Sequence, residues 1–216
     1  MDMTTWRQKL EDGVSTIAKN DDAIAPYTLI YPLPTFLPHD NHYQELVESI
    51  ISQQLSVKAA ATISKRFVDL FEGESFPTPE QILEKDIEEM RAVGLSGQKA
   101  SYIRDLAQHV IEGALRFDKL GEQTNQEIID MLTSVKGIGE WTAHMFLIFS
   151  LGRLDVLAHG DLGIRNGVRE LYGLDAMPTP DKVRLIAEAR GWHPYESIAC
   201  WYIWKSLDNE PSTTGA

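Results

Sequence analysis

Apolar residues along this chain recur at intervals of three and four and almost never alternate. That spacing predicts helices near 4–18, 41–54, 57–71, 80–93, 97–115, 125–135, 141–151, 162–172, 181–190 and 194–207. The start signals agree. Thr78-Pro79-Glu80-Gln81 and Thr124-Asn125-Gln126-Glu127 have the capping-box spacing, and Thr179-Pro180 puts a proline at a first helical position. Stop signals agree as well, because Gly94, Gly137, Gly173 and Gly191 each follow a periodic run and suit a left-handed helix end. Only "YTLIYPLP" at 27–34 has alternating, β-branched character, and Pro32 and Pro34 demote it to an irregular or edge segment. The class is therefore all-α.

The 216 residues suffice for one large domain or two small ones, with no internal repeat of fixed period. Residues 1–40 read as an N-terminal helix and Pro-rich connection packing with the C-terminal helices. Residues 41–151 read as a helical core, 152–207 as a loop with the last helices, and 208–216 as a frayed tail. At 43% apolar residues the composition argues against disorder, and no apolar run approaches the ~18 residues of a membrane span. The start "MDMTTWRQKL" lacks a signal-peptide plan, which points to a soluble intracellular protein with no membrane contact. Cys200 is the single cysteine, so this chain cannot supply an internal disulfide, a four-cysteine cluster or a thiolate zinc site.

A net charge of −12 argues, taken alone, against a nucleic-acid partner. Its distribution weakens that objection. Lys58, Lys99, Lys136 and Arg165 fall in the loops "QQLSVK", "GLSGQK", "VKGIGE" and "GDLGIR". The acidic runs lie elsewhere, at 10–13, 84–89 and 208–210. That segregation suits a basic face on an acidic body.

One corner concentrates the candidate chemistry. In "VKGIGEWTAHMF" at 135–146, Gly137 and Gly139 permit positive φ and close approach, and the following helix start offers unpaired amides to a phosphate without any lysine. An ordinary helical hairpin with a capping glycine has the same letters. Asp161, just before "LGIRNGVRELYG", suits an N-cap, and Ser56 suits another, with Gln53 and Gln54 ahead of it at a helix end. Trp192, Trp201 and Tyr202 read as core, His144 as a packed or surface residue, and the six histidines show no metal spacing.

These segments together resemble a family. "VKGIGEWTAHMF" resembles the helix-hairpin-helix element of the DNA glycosylase superfamily. "RLDVLAHGDLGIRNGV" at 153–168 is similar to its Gly/Pro-rich loop, with Asp161 at the catalytic aspartate position, twenty residues after Trp141. "ESIISQQLSVKAA" at 48–60 looks like the DNA-inserting segment of the alkylation-repair branch, the 3-methyladenine DNA glycosylase II type, and "HPYESIACWYIW" at 193–204 like its last helix. The resemblance covers about 40–207 and implies the compact form without an N-terminal sheet domain. It also implies about ten helices in two helical subdomains with an active-site cleft between them.

The implied activity is base flipping and hydrolysis of the N-glycosidic bond of alkylated purines, 3-methyladenine and 7-methylguanine, in duplex DNA, the first step of base excision repair. Departure of the base builds positive charge on the sugar, which a carboxylate stabilises, and a cationic alkylated base leaves without an obligatory acid. Asp161 takes that role. Trp141, Trp204 and Met145 match the base pocket, where a tryptophan face adds a cation–π attraction of about 0.5–2 kcal/mol. Gln53, Gln54 and Leu55 match the wedge, with Gln54 at its tip. Lys136, Gly137, Ile138, Gly139, Ser56, Lys58, Gly97, Lys99 and Arg165 match phosphate contacts.

Strand-cutting members have a lysine where this chain has Trp141, which implies a monofunctional enzyme. The resemblance implies no cofactor or transition metal, a monovalent cation at the hairpin carbonyls, a monomer on double-stranded DNA, and a location in the bacterial cytoplasm or nucleoid, or the eukaryotic nucleus. Lys136 replaces a common proline, Met145 a frequent aromatic residue, and His193 and Glu196 frequent basic residues, which leaves the substrate range open. Two alternatives stand beside this reading. One is a related enzyme for deaminated or oxidised bases; the other is a helix-hairpin-helix DNA-binding protein in which Asp161 only caps a helix.

Overall fold

In the computed structural model, residues 3–71, 73 and 76–207 are described, and every regular element among them is helical. The order is α1 (Met3–Asn20), α2 (Ala25–Ile30), α3 (His42–Ser52), α4 (Val57–Val68), α5 (Pro79–Glu84) and α6 (Ile87–Ala92). Then come α7 (Gly97–Ile111), α8 (Asn125–Thr133), α9 (Glu140–Met145), α10 (Leu162–Leu171), α11 (Pro180–Ala189) and α12 (Glu196–Ser206). A 3₁₀ turn (Phe117–Glu122) precedes α8, and a π-helical turn (Phe146–Ser150) follows α9. Among the described residues no helix is long and apolar enough to cross a membrane. The tail expected at 208–216 lies outside the described residues.

The local signals act as they read. Thr78 and Thr124 close reciprocal capping boxes with Gln81 and Glu127, and Pro180 opens α11 behind the Thr179 cap. Gly94, Gly137, Gly173 and Gly191 have φ of +110°, +86°, +60° and +62°, the left-handed stop that glycine adopts without steric cost.

Two expectations are corrected. The segment at 27–34 contributes α2, which runs from Ala25 to Ile30 with Pro26 in its first turn, where the missing N–H has no helical partner to lose. The helix expected over 80–93 is two. Lys85 ends one and Asp86 caps the next, its carboxylate accepting from Glu89 N–H at 2.8 Å while Glu89 accepts from Asp86 N–H at 2.9 Å.

The chain divides into two units, one of residues 39–146 and one of residues 3–38 with 147–207. The change of unit falls between Phe146 and Leu147, within the π-helical turn that follows α9. In the first unit α7 packs on α3, α5 and α6, α3 on α4, and α8 on α9. Ile50, Ile51, Phe67, Ile82, Met90, Ile103 and Leu106 are fully buried among them. In the second, α12 packs on α1, α2 and α10, and α10 on α11, with Trp192 and Tyr202 buried as expected. Trp201 is half-buried, with its ring edge-on to Phe36 and Lys205 over its face at 5.4 Å.

Gly167 decides how closely α10 meets α12. A Cβ there would stand 2.5 Å from Ile203 Cγ2 and 3.1 Å from the Ile203 carbonyl. In an exposed helix alanine gains about 1 kcal/mol over glycine. Here overpacking reverses the sign, and Gly167→Ala is expected to destabilise the fold by about 1–3 kcal/mol, read as a lowered melting temperature.

Candidate functional site

Within the unit of residues 39–146, α3 ends at Ser52 and a turn of Gln53, Gln54 and Leu55 leads to α4. Gln54 has φ +57°, the single non-glycine residue in the left-handed region among those described, and it is exposed beside a Leu55 that is 38% exposed. A strained, outward tip suits the expected wedge. Gln53, half-buried, has a bond of its own: its side-chain Nε2 donates to the Gly137 carbonyl at 2.8 Å and ties the turn to the hairpin. Ser56 caps α4 by accepting from Ala59 N–H at 3.3 Å, and Lys58 is exposed on its first turn.

The hairpin joins α8 to α9. Gly137 lies against the Tyr102 ring, where an added Cβ would meet Cδ2 at 2.0 Å, so no other residue fits. Ile138 is buried and its N–H closes the turn onto the Val135 carbonyl at 3.1 Å. Gly139 is exposed, has open space where a Cβ would stand, and starts α9 without a side-chain cap. Such a helix start suits an anion better than the Ser96-capped start of α7 at Gly97, where the serine hydroxyl already accepts from Lys99 N–H at 3.2 Å.

Two of the cations expected at phosphate in this unit have other partners. Lys99 Nζ donates to the carbonyls of Ile51 at 2.8 Å and Gln53 at 2.6 Å, and burial lowers its pKa from the ordinary lysine value. Lys136 remains exposed but pairs with Asp105, which also accepts its backbone N–H at 2.9 Å. Burial works to raise the Asp105 carboxyl, and the bonds from Lys136 outweigh it and hold the group below the usual carboxylate range. Of the hairpin carbonyls expected to hold a monovalent cation, Val135 already accepts from Ile138 and Gly137 from Gln53.

Trp141, on the first turn of α9, is 53% exposed, and Met145 is half-buried one turn on. His144 is packed, at 5% exposure.

In the other unit Asp161 is the N-cap of α10. Its Oδ1 accepts the Ile164 N–H at 2.8 Å and the Trp204 indole N–H at 2.9 Å. Gly163 makes room for this pair: a Cβ there would come within 3.0 Å of Asp161 Oδ1 and 3.2 Å of Trp204 Cδ1. Trp204, expected as a pocket wall, thus holds the carboxylate, and its ring stacks on Phe149 at 5.9 Å.

The loop before Asp161 is stapled by Ser197, fully buried, whose hydroxyl donates toward the Arg153 carbonyl at 2.7 Å and accepts from Val156 N–H at 3.1 Å. Ser197 is a site residue that sequence reasoning missed. Arg165 reaches inward from α10, its Nε donating to the Pro178 carbonyl at 2.7 Å. His193 and Glu196 pair with each other at 2.9 Å. Cys200 is fully buried, and burial pushes its thiol up to about 12, which disfavours the thiolate.

The chain has clear relatives. Residues 47–191 match the family model described as "HhH-GPD superfamily base excision DNA repair protein". A Schizosaccharomyces pombe protein named DNA-3-methyladenine glycosylase 1 is 42% identical over 165 residues, 76% of this chain and 72% of that one. A Bacillus halodurans structure described as a DNA-3-methyladenine glycosidase superposes with a TM-score of 0.81 at 39% identity, covering 91% of this chain and 89% of the other. A Schizosaccharomyces pombe 3-methyladenine DNA glycosylase in complex with abasic DNA superposes with a TM-score of 0.73 at 35% identity, covering 90% and 96%.

Proposed function

The chain belongs to the HhH-GPD superfamily of base excision DNA repair proteins, and from that membership we propose that it is a monofunctional glycosylase releasing 3-methyladenine and 7-methylguanine from duplex DNA. The relatives named as 3-methyladenine glycosylases, one of them on abasic DNA, support the substrate class and the DNA partner. One observation carries the chemistry: an aspartate at the positive end of α10, with one oxygen fixed by a backbone amide and an indole N–H.

That carboxylate is preorganised. Two donors set its direction before substrate arrives, so no reorganisation is needed when positive charge builds at the sugar C1′. The second half of the work is extrusion. Gln54 and Leu55 enter the stack from the minor groove and fill the space of the flipped nucleotide, at an unstacking cost of a few kcal/mol. The uncapped start of α9 at Gly139 receives a backbone phosphate. Trp141 stacks on the extruded base, and because no amine stands at that position no Schiff base forms.

The test is incubation with methylated duplex DNA. Free 3-methyladenine and 7-methylguanine are expected, with strand breaks only after alkali. No base release sinks the proposal, breaks before alkali sink its monofunctional part, and faster release of hypoxanthine than of methylpurines moves the substrate class to deaminated bases.

Trp141→Leu gives a narrower check. Loss of an aromatic face removes a cation–π term of about 0.5–2 kcal/mol from cationic bases and nothing comparable from neutral ones. The kcat/KM ratio for 3-methyladenine over hypoxanthine is expected to fall roughly 2- to 30-fold.

A further inference from the structure

The wedge turn is not held by its own helices alone. The carbonyls at the end of α3 and of its cap have no partner within the helix, and Lys99 of α7 places its ammonium on two of them, those of Ile51 at 2.8 Å and Gln53 at 2.6 Å. Gln53 in turn spends its side-chain amide on Gly137 of the hairpin, 2.8 Å away and 84 positions along the chain. Gly137 rests on the ring of Tyr102, and Tyr102 stands three residues after Lys99 on the same helix. The connections close a circuit from α7 to the wedge turn, to the hairpin, and back to α7.

Gln54, at the tip of that turn, sits in a backbone region that non-glycine residues adopt only when their surroundings impose it. Resting on the glycosylase reading above, we propose that Lys99 and Gln53 are positioning residues. They brace the Gln54 turn against the helix-hairpin-helix so that the wedge and the phosphate grip engage DNA as one rigid body. The bracing matters for flipping in particular. Insertion works against base stacking, and a tip that yields transmits no strain to the nucleotide it displaces. The half-buried setting of Lys99 fits the assignment, because a lysine used mainly for phosphate would keep its ammonium in water.

A merely structural role and a positioning role differ in what they spare. The experiment compares the wild type with Lys99→Met, Lys99→Arg and Gln53→Leu on a duplex carrying one 3-methyladenine beside 2-aminopurine, a neighbour whose fluorescence rises when the stack opens. Single-turnover excision and the fluorescence change are read on this duplex. Affinity is read by anisotropy on the same duplex without the lesion, and folding by thermal melting.

Lys99→Met and Gln53→Leu are expected to lower the excision rate roughly 10- to 100-fold, the scale of an ångström-sized misplacement, with a matching loss of the fluorescence change. Affinity for undamaged duplex should stay within about threefold, and Lys99→Arg, which keeps donors for both carbonyls, should recover most of the rate. Gln53→Leu keeps the test decisive if Lys99→Met does not fold, since it removes only the strut to Gly137. Excision that survives in both variants overturns the proposal, as does a loss of affinity equal to the loss of excision. A wild type that opens the stack but releases no base overturns the glycosylase reading instead, and leaves the bracing legible in the fluorescence.

Discussion

Asp161→Asn is expected to slow release of 3-methyladenine by about 10²- to 10³-fold, the cost of removing one preorganised charge-stabilising group, while DNA affinity and melting temperature stay close to those of the wild type. The separation comes from the site's own bonds. Ile164 N–H and the Trp204 indole N–H both point at Oδ1, and asparagine presents an amide oxygen in the same place. Asparagine is also as good an N-cap as aspartate. Only the charge is lost, and in the proposed mechanism the charge is what the developing oxocarbenium ion meets. Asp161→Ala is a poorer probe, because it also removes the cap, worth about 0.5–2 kcal/mol, and strands the indole N–H. Excision kinetics under single turnover, with affinity by anisotropy, check the expectation. Full activity in Asp161→Asn would reduce Asp161 to a helix cap and return the non-catalytic alternative to first place.

The Asp161 cap was legible in the sequence because its signal is local, a cap residue before an apolar-periodic run, while its step from the hairpin came only from the resemblance. Its partner was not. Trp204 lies 43 positions away, and nothing in "WYIW" tells an indole that walls a pocket from one that donates to a carboxylate. Gln53 and Lys99 show the same limit more sharply. Both use backbone carbonyls, which every residue owns, so the acceptor leaves no mark in the sequence. Composition placed Lys99 in a basic loop; only the fold shows that its charge is turned inward. Ser197 was missed for a related reason, since one serine in the first turn of a helix gives no sign that it staples a loop 44 residues upstream.

For the fold, the capping boxes at Thr78 and Thr124 carried their own partners three residues on, and the stops at Gly94, Gly137, Gly173 and Gly191 needed only a positive φ. The failures are instructive in the same terms. Asp86 to Glu89 is a capping box too, yet inside "EKDIEE" it read as a solvated charge run. The start of α2 was marked by Pro26, but β-branched residues and the later prolines drew attention downstream. Tertiary packing outweighed that local preference: Ile24 and Tyr31, which flank α2, are both buried, and α2 packs on α1 and α12.

The largest loss of stability is expected at Asp21, a residue with no part in the chemistry. Its side chain is fully buried and accepts four bonds, from Tyr172 Oη at 2.5 Å, Trp192 Nε1 at 2.7 Å, Ala23 N–H at 3.0 Å and Ile24 N–H at 3.4 Å. Burial, then the bond to Asp21, pushes the Tyr172 hydroxyl far above its ordinary pKa, as expected for a phenol held as a donor. Asp21→Ala leaves the fully buried Trp192 N–H and the Tyr172 hydroxyl without their acceptor, each at about 1–3 kcal/mol, so a total of roughly 2–6 kcal/mol is expected. For a chain of this length that lowers the melting temperature by about 5–20 °C. Tyr172→Phe should cost less, because it removes one donor and leaves the carboxylate three. The consequence reaches the site through one helix. Tyr172 is the C-cap of α10 and Asp161 its N-cap, so the Asp21 network pins the far end of the helix whose start carries the carboxylate. Thermal melting of Asp21→Ala beside Tyr172→Phe checks the order. An Asp21→Ala protein that melts with the wild type would mean that water or a neighbouring group replaces the carboxylate, and that α10 is held by packing alone.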